Sequence, residues 1–446
     1  MATELNNRIS GPVFVAGDSG YAPEIAAFNT AIVHSPDLVV GAESAADVVE
    51  AVRFAREHGY PVSVQATGHT EEPITSGLLI STRRLDGVRI DPGRRTATIG
   101  AGTLWEAVVA AAAEHGLAPV GGSSTKVGVV GYLLGGGLGP LARSHGFSSD
   151  YLIELEVVTG EGELIEASLD HNPELFWALR GGKAGLGIVT EVRLRLLELS
   201  ALYGGSLFFG EKDMEATLRA WVDWTAGADP LVSTSVAIVR FPPLDVVPEP
   251  FRGRLLLSLR FAYPGPVEEG ARLAGPLRSA APVYLDALGE LPVAEVATIH
   301  NDPGEPSPAL VSGMLLTHVD QEFASELLEQ VGAGSDAPFV SVEIRHLGEA
   351  TRRDVEGGSA VGGRADGFTL TLIAADPELF LTAVPAATDR LIHTLQPWIS
   401  AETNINFAGK LRSAEQFTSA WPPDILAKLT EVREEYDPDG VLALRS

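Results

Sequence analysis

The sequence predicts an α+β protein of two domains, the second an antiparallel sheet covered by helices. Three observations lead there. The chain has 446 residues, more than one hydrophobic core usually supports. Residues 1–200 alternate helix and strand signals, and from about Ala201 the pattern changes to strand-like runs interleaved with helical spacings.

In chain order, Ser44 is an N-cap, Val48, Val49, Val52 and Ala55 have helical spacing, and Gly59 stops the helix. Pro61 to Val64 is a short strand. Thr103 and Glu106 form a capping box before a helix running to about His115, with Gly116 as its stop. Leu152 to Thr159 and Leu164 to Ala167 flank the turn Gly160-Glu161-Gly162, and Asn172-Pro173 opens a helix through Leu179. Gly187 to Leu197 is the next strand. The second domain contributes strands at Ser233 to Arg240, Leu255 to Phe261, Val340 to His346 and Phe368 to Ile373. Asn301 to Pro308 and Glu356 to Gly367 are expected as mobile connections.

Composition narrows the chemistry. With 45% hydrophobic and 20% charged residues the chain folds and carries a large core. A net charge of -27 argues against a nucleic-acid partner and against an anionic membrane surface. The absence of cysteine removes disulfides, thiolate nucleophiles and Cys-ligated metals, and no metal site is expected. The first residues lack a signal-peptide pattern and no segment has the apolar length of a membrane span, so a cytoplasmic protein, monomer or homodimer, is expected.

The densest signal runs from Gly121 to Gly139, GGSSTKVGVVGYLLGGGLG. Glycines let main chain approach a ligand and offer N–H groups to phosphate oxygens, so this segment is a dinucleotide cradle. Gly137, Gly139 and Ala142 fit G-x-G-x-x-A, but the stretch after them is too short and polar for the long helix of a Rossmann unit.

Together with Phe28-Asn29, Pro36 to Val40, the run Pro61 to His69 (PVSVQATGH), Asn172 to Gly181 (NPELFWALRG), Gly187 to Thr190 and Tyr436 to Asp439, this segment gives the chain a resemblance to the FAD-linked oxidases of the vanillyl-alcohol-oxidase superfamily. The likeness is to the berberine-bridge-enzyme-like branch common in bacterial secondary metabolism. It implies the two-domain fold with a PCMH-type FAD-binding domain: residues 1–200 and a C-terminal return at 400–446 bind FAD, and residues 201–399 cover the substrate. It also implies FAD joined covalently through His69 alone, because Ser124 stands where some relatives have a second, cysteinyl bond. By the same resemblance the cofactor is contacted by Gln65, Ala66, Thr67, Gly68 and Thr70, by Ser123, Ser124, Val127, Gly128, Gly131, Gly135, Gly136 and Leu138, by Gly187, Ile188 and Val189, and by Asn406 and Phe407. Val127 is the residue that accompanies reactivity with oxygen in the family.

The chain departs from the family pattern at three places. Gln65 replaces an arginine, Lys183 and Ala184 interrupt a glycine run, and Asn404 replaces the tyrosine that assists deprotonation. A carboxamide cannot act as a base. The strand Ser341 to Gly348 is then the expected source. Alternation puts Glu343 and Arg345 on one face and His346 on the other, so either the charged pair or His346 lines the pocket.

The expected function is an FAD-dependent oxidoreductase, an oxidase that takes a hydride from a small organic substrate such as a sugar, alcohol or natural product and is reoxidised by O2. The alternative is a flavin-containing cyclase or other non-redox enzyme on the same fold.

Overall fold

A computed structural model describes residues 1–69, 72–409 and 420–442. The first sheet holds four strands in the order Val13–Phe14, Leu38–Gly41, Leu78–Ser81, Val62–Gln65, the last three parallel. Leu38–Gly41 and Leu78–Ser81 are buried along their whole length, which is why they read as continuous apolar runs. Helix Ala45–His58 begins where expected: Ser44 Oγ accepts from the Asp47 N–H, and Gly59 at φ 72° closes it.

Five antiparallel strands form the second sheet, ordered Val88–Asp91, Thr96–Gly100, Ile188–Arg195, Leu152–Val158, Leu164–Ser168. The helix over it spans Trp105–Ala113, and the capping box is not made. Thr103 Oγ1 bonds instead to the main chain of Gly87 (3.1 Å), and the Glu106 carboxylate meets Lys126 at 2.7 Å. Tertiary partners displaced the local motif.

From Ala201 the chain builds an eight-stranded sheet whose main path is Val283–Asp286, Ala201–Gly210, Leu255–Tyr263, Ser233–Arg240, Ser341–His346, Phe368–Ala374, Leu310–Leu316, with Gly289–Pro292 also paired to Ala201–Gly210. Every pairing in it is antiparallel. Helices Met214–Thr225, Val267–Arg278, Gln321–Val331 and Ala383–Leu395 cover one face, where Val236, Leu257, Leu259, Val342, Ile344, Leu370 and Leu372 pack under Trp221, Leu277, Phe323 and Leu391. The residues alternating with these on the same strands are Ser235, Ser258, Arg260, Glu343, Thr369 and Thr371, polar yet buried. A buried polar face needs partners or a ligand.

Both connections expected at 301–308 and 356–367 make long-range contacts. In the second, Ser359 to Val361 are buried and the Ala360 N–H donates to the Arg180 carbonyl at 2.9 Å. In the loop 301–308, Ser307 makes a parallel bridge to Asn29, whose carboxamide also ties both main-chain groups of Ala309 (3.0 Å each). The final helix, Pro423–Tyr436, rests on Pro173–Leu179, and Leu442 bridges to Val62. Among the described residues no helix is long and apolar enough to cross a membrane.

Candidate functional site

The loop leaving strand Val62–Gln65 meets the glycine segment edge to edge: a Cβ on Gly128 would lie 3.4 Å from Thr67 Cγ2. The carbonyls of Ala66, Thr67 and Gly68 are taken from behind, by Arg83 Nε (3.0 Å) and by the N–H groups of Phe28 (2.9 Å) and Asn29 (3.1 Å). The main-chain N–H groups of residues 66–69 find no acceptor among the described residues, and neither do those of residues 123–128. Meanwhile the carbonyls of Thr125 and Val127 accept from Glu106 and Trp105. Two adjacent runs of main chain therefore present spare donors, which suits an anionic group such as a pyrophosphate. Gly68, at φ 72°, admits no side chain, because a Cβ would be 2.6 Å from Ala27 Cα.

Gln65 does not face this cradle. It is buried, and its Nε2 donates to the carbonyls of Ile25 and Ala26 at 3.4 and 3.2 Å, so it braces the loop instead of contacting a ligand. His69 sits at the cradle's edge, stacked on Phe28 with centroids 4.1 Å apart, its Nδ1 2.7 Å from Thr67 Oγ1. Burial pushes its pKa down to about 4, which keeps the imidazole neutral with a lone pair available. Thr70 lies outside the described residues.

Further along, Lys183 closes a clamp. Its Nζ donates to the Gly131 carbonyl and to Asn406 Oδ1, each at 2.8 Å, while Asn406 Nδ2 donates to the Tyr132 carbonyl at 2.7 Å. Burial lowers the Lys183 pKa to about 8. Asn404, the residue in place of a tyrosine, acts locally: its Oδ1 accepts from the Asn406 N–H at 3.1 Å and shapes the turn. A Cβ on Gly135 would lie 2.0 Å from Asn406 Oδ1. Because two hydrogen bonds fix that carboxamide, Gly135→Ala is expected to break the clamp and cost about 1–3 kcal/mol. An unchanged melting midpoint for Gly135→Ala would show that Asn406 moves freely.

Ser123 donates to Asp302 Oδ2 at 2.8 Å, and Ser124 lies in the same run of free N–H groups. Val127 packs at the edge of the cluster that holds Trp105. Gly136 takes φ 95°, and Leu138 is buried beside Phe147 and Val361 with Phe407 packed against them. Gly187 abuts Val157, and the side chains of Ile188 and Val189 enter separate cores, which leaves them only main-chain contact with any ligand.

On the polar sheet face Arg345 binds Glu343 through Nε and Nη2 at 2.9 Å and donates from Nη1 to the Leu138 carbonyl at 3.2 Å. Its guanidinium lies 5.2 Å from the Phe407 ring centroid. Glu343 also accepts from Arg260 and from Ser235 Oγ (2.9 Å), and His300 Nε2 stands 3.4 Å away. Burial alone would raise the pKa of Glu343, but Arg345 and Arg260 hold its carboxyl well below the usual range. Both of its oxygens are engaged by guanidinium groups, so the carboxylate positions Arg345 and Arg260.

His346 pairs across the ladder with Phe368 and stacks on it at 4.8 Å, and it borders the cleft that Leu138 and Gly139 also line. Burial and the nearby Arg143 and Arg352 drive its pKa to about 3. His300 went unnoticed in the sequence because nothing local marks it; it follows the turn Val293–Ile299 and reaches Glu343 only through the fold.

A family model described as an FAD binding domain matches residues 36–168. Over 202 residues the chain is 36% identical to (R)-6-hydroxynicotine oxidase of Paenarthrobacter nicotinovorans, which is 45% of this chain but only 44% of that enzyme's length. Among solved structures, 6-hydroxy-D-nicotine oxidase from Arthrobacter nicotinovorans superposes with a TM-score of 0.84 at 23% identity, covering 99% of this chain and 98% of the other. Glucooligosaccharide oxidase from Acremonium strictum gives 0.81 at 18% identity, covering 98% of each.

Proposed function

For a chain whose residues 36–168 are an FAD-binding domain, homologous to FAD-linked oxidases and sharing their two-domain fold, we propose an FAD-dependent oxidase of a small organic substrate. One observation carries the proposal: the cradle of free N–H groups, the neutral His69 and a buried, charged sheet face converge on the glycine segment. The residues fit the cofactor. The spare donors at 66–69 and 123–128 would hold its pyrophosphate, and the Lys183–Asn406 clamp fixes the glycine segment at Gly131 and Tyr132. Residues 1–200 with 400–446 hold FAD in this scheme, and 201–399 present the substrate.

We further propose that the flavin is bonded to His69 and to no second residue. Glucooligosaccharide oxidase carries a 6-S-cysteinyl, 8α-N1-histidyl FAD; a chain without cysteine retains only the histidyl option.

Bound FAD supplies a two-electron acceptor that O2 can reoxidise. The protein's part is to bind, orient and exclude water. Arg345 and Glu343 lock the pocket wall through an ion pair in which Nε and Nη2 share the Glu343 Oε2 oxygen, and the loop 301–308, strapped to Asn29, shields the site. An alcohol substrate would leave as its carbonyl, with one O2 consumed and one H2O2 formed.

Anaerobic mixing of the yellow enzyme with a panel of sugars, alcohols and amines is expected to bleach the flavin with the true substrate, and air is expected to restore the colour with one peroxide per turnover. A substrate converted without bleaching at any stage would replace the oxidase by non-redox chemistry.

A further inference from the structure

The protein carries a net charge of -27, yet one place in its interior has an excess of cations. Arg260 and Arg345 share the single carboxylate of Glu343, with His300 beside them; the side chains are 5–12% exposed. The other groups in electrostatic reach of Arg345 are Tyr132 and Asp302, and burial raises the Tyr132 pKa so that the phenol stays neutral. Asp302 is exposed and engaged with Ser123. The cluster thus keeps about one unmatched positive charge, and such a charge is costly to bury.

It also has unused donors. Arg260 Nε has no hydrogen-bond partner, and neither ring nitrogen of His300 makes a hydrogen bond of good geometry. These atoms line one cleft together with Ser235, Arg345 and Leu138, the last a predicted cofactor contact. Buried N–H groups without acceptors, beside an uncompensated guanidinium, are complementary to a carboxylate.

We infer that this cleft binds an anionic oxygen group of the substrate, a carboxylate in the first instance, through Arg260 and His300. Glu343 is the positioning residue that keeps both guanidinium groups in place. The inference rests on the oxidase proposed above and narrows its substrate to a small organic acid or an acid-bearing natural product. The ligand's charge completes the cluster, and its reactive C–H is held beside the glycine segment.

The test uses the holoenzyme and calorimetric titration with acetate and benzoate against their neutral shape-mates acetamide and benzamide. The acids are expected to bind at least about tenfold more tightly than the amides, the usual worth of charge-assisted hydrogen bonds. Arg260→Lys preserves a cation for Glu343 but withdraws Nε, and His300→Asn withdraws the ring; each is expected to weaken acid binding about 10- to 100-fold with flavin content unchanged. Equal binding of acid and amide, no acid binding at all, or variants that bind acids like the parent would overturn the inference. A yellow enzyme bleached by neutral substrates that ignores carboxylates would sink this inference alone, whereas a protein that binds carboxylates but no flavin would sink the oxidase reading instead.

Discussion

His69→Ala is expected to turn a protein that stays yellow after acid precipitation into one that surrenders all its flavin to the supernatant. The imidazole's surroundings are the cause. Stacking on Phe28 and the contact with Thr67 fix the ring, and burial keeps it unprotonated at any pH above about 4. A fixed, neutral imidazole is a competent nucleophile, and no cysteine exists to provide a second attachment. The variant should still bind FAD non-covalently, because the donors at 66–69 and 123–128 belong to main chain. Loss of the stacked ring itself costs only about 0.5–1.5 kcal/mol. The decisive measurement is absorbance of pellet and supernatant after denaturation. Flavin released from the parent protein would remove the covalent bond from the account and leave the cradle standing.

Glu343→Gln is expected to have the largest effect on stability. The substitution keeps shape but leaves Arg260 and Arg345 buried without a counter-charge, a situation that typically costs about 3–5 kcal/mol. Because Glu343 has a folded-state pKa below its unfolded value, its contribution is fully present above the ordinary carboxylate range and is lost only as pH falls through the depressed folded value. The gap in melting midpoint between parent and variant should therefore be flat from neutral pH to about 5 and narrow in stronger acid. A gap under one degree at pH 7 would mean that water already compensates the cluster.

Much of the fold and of the cradle is legible in the residues alone. Ser44, Asp47 and Gly59 bound a helix through contacts within a few residues of one another, so local chemistry is enough to place it. Strand Ser341–His346 and its division into two faces follow from the period of two. The crowding of glycines between Gly121 and Gly139 announces close approach of main chain, and the structure finds it: a Cβ on Gly139 would lie 1.8 Å from the Gly121 carbonyl oxygen. The Thr103–Glu106 capping box shows the limit. It is a sound local motif that lost to Gly87 and Lys126, partners that only the fold brings near.

By itself, then, the sequence determined the strand and helix pattern, the close main-chain approach of the glycine segment and the existence of one charged and one mixed face on strand Ser341–His346, because those depend on chirality, spacing and residue chemistry. Only the tertiary structure decided which face looks toward the glycine segment. That depends on which side the helices carrying Trp221 and Phe323 cover, and they cover the side of Val342 and Ile344. It likewise turned Gln65 into a brace and Lys183 into a clamp, and it brought His300 to Glu343 from 43 positions away in the chain. Each of these is settled by long-range packing, where burial makes an unpaired charge or donor costly and so selects its partner from any part of the chain.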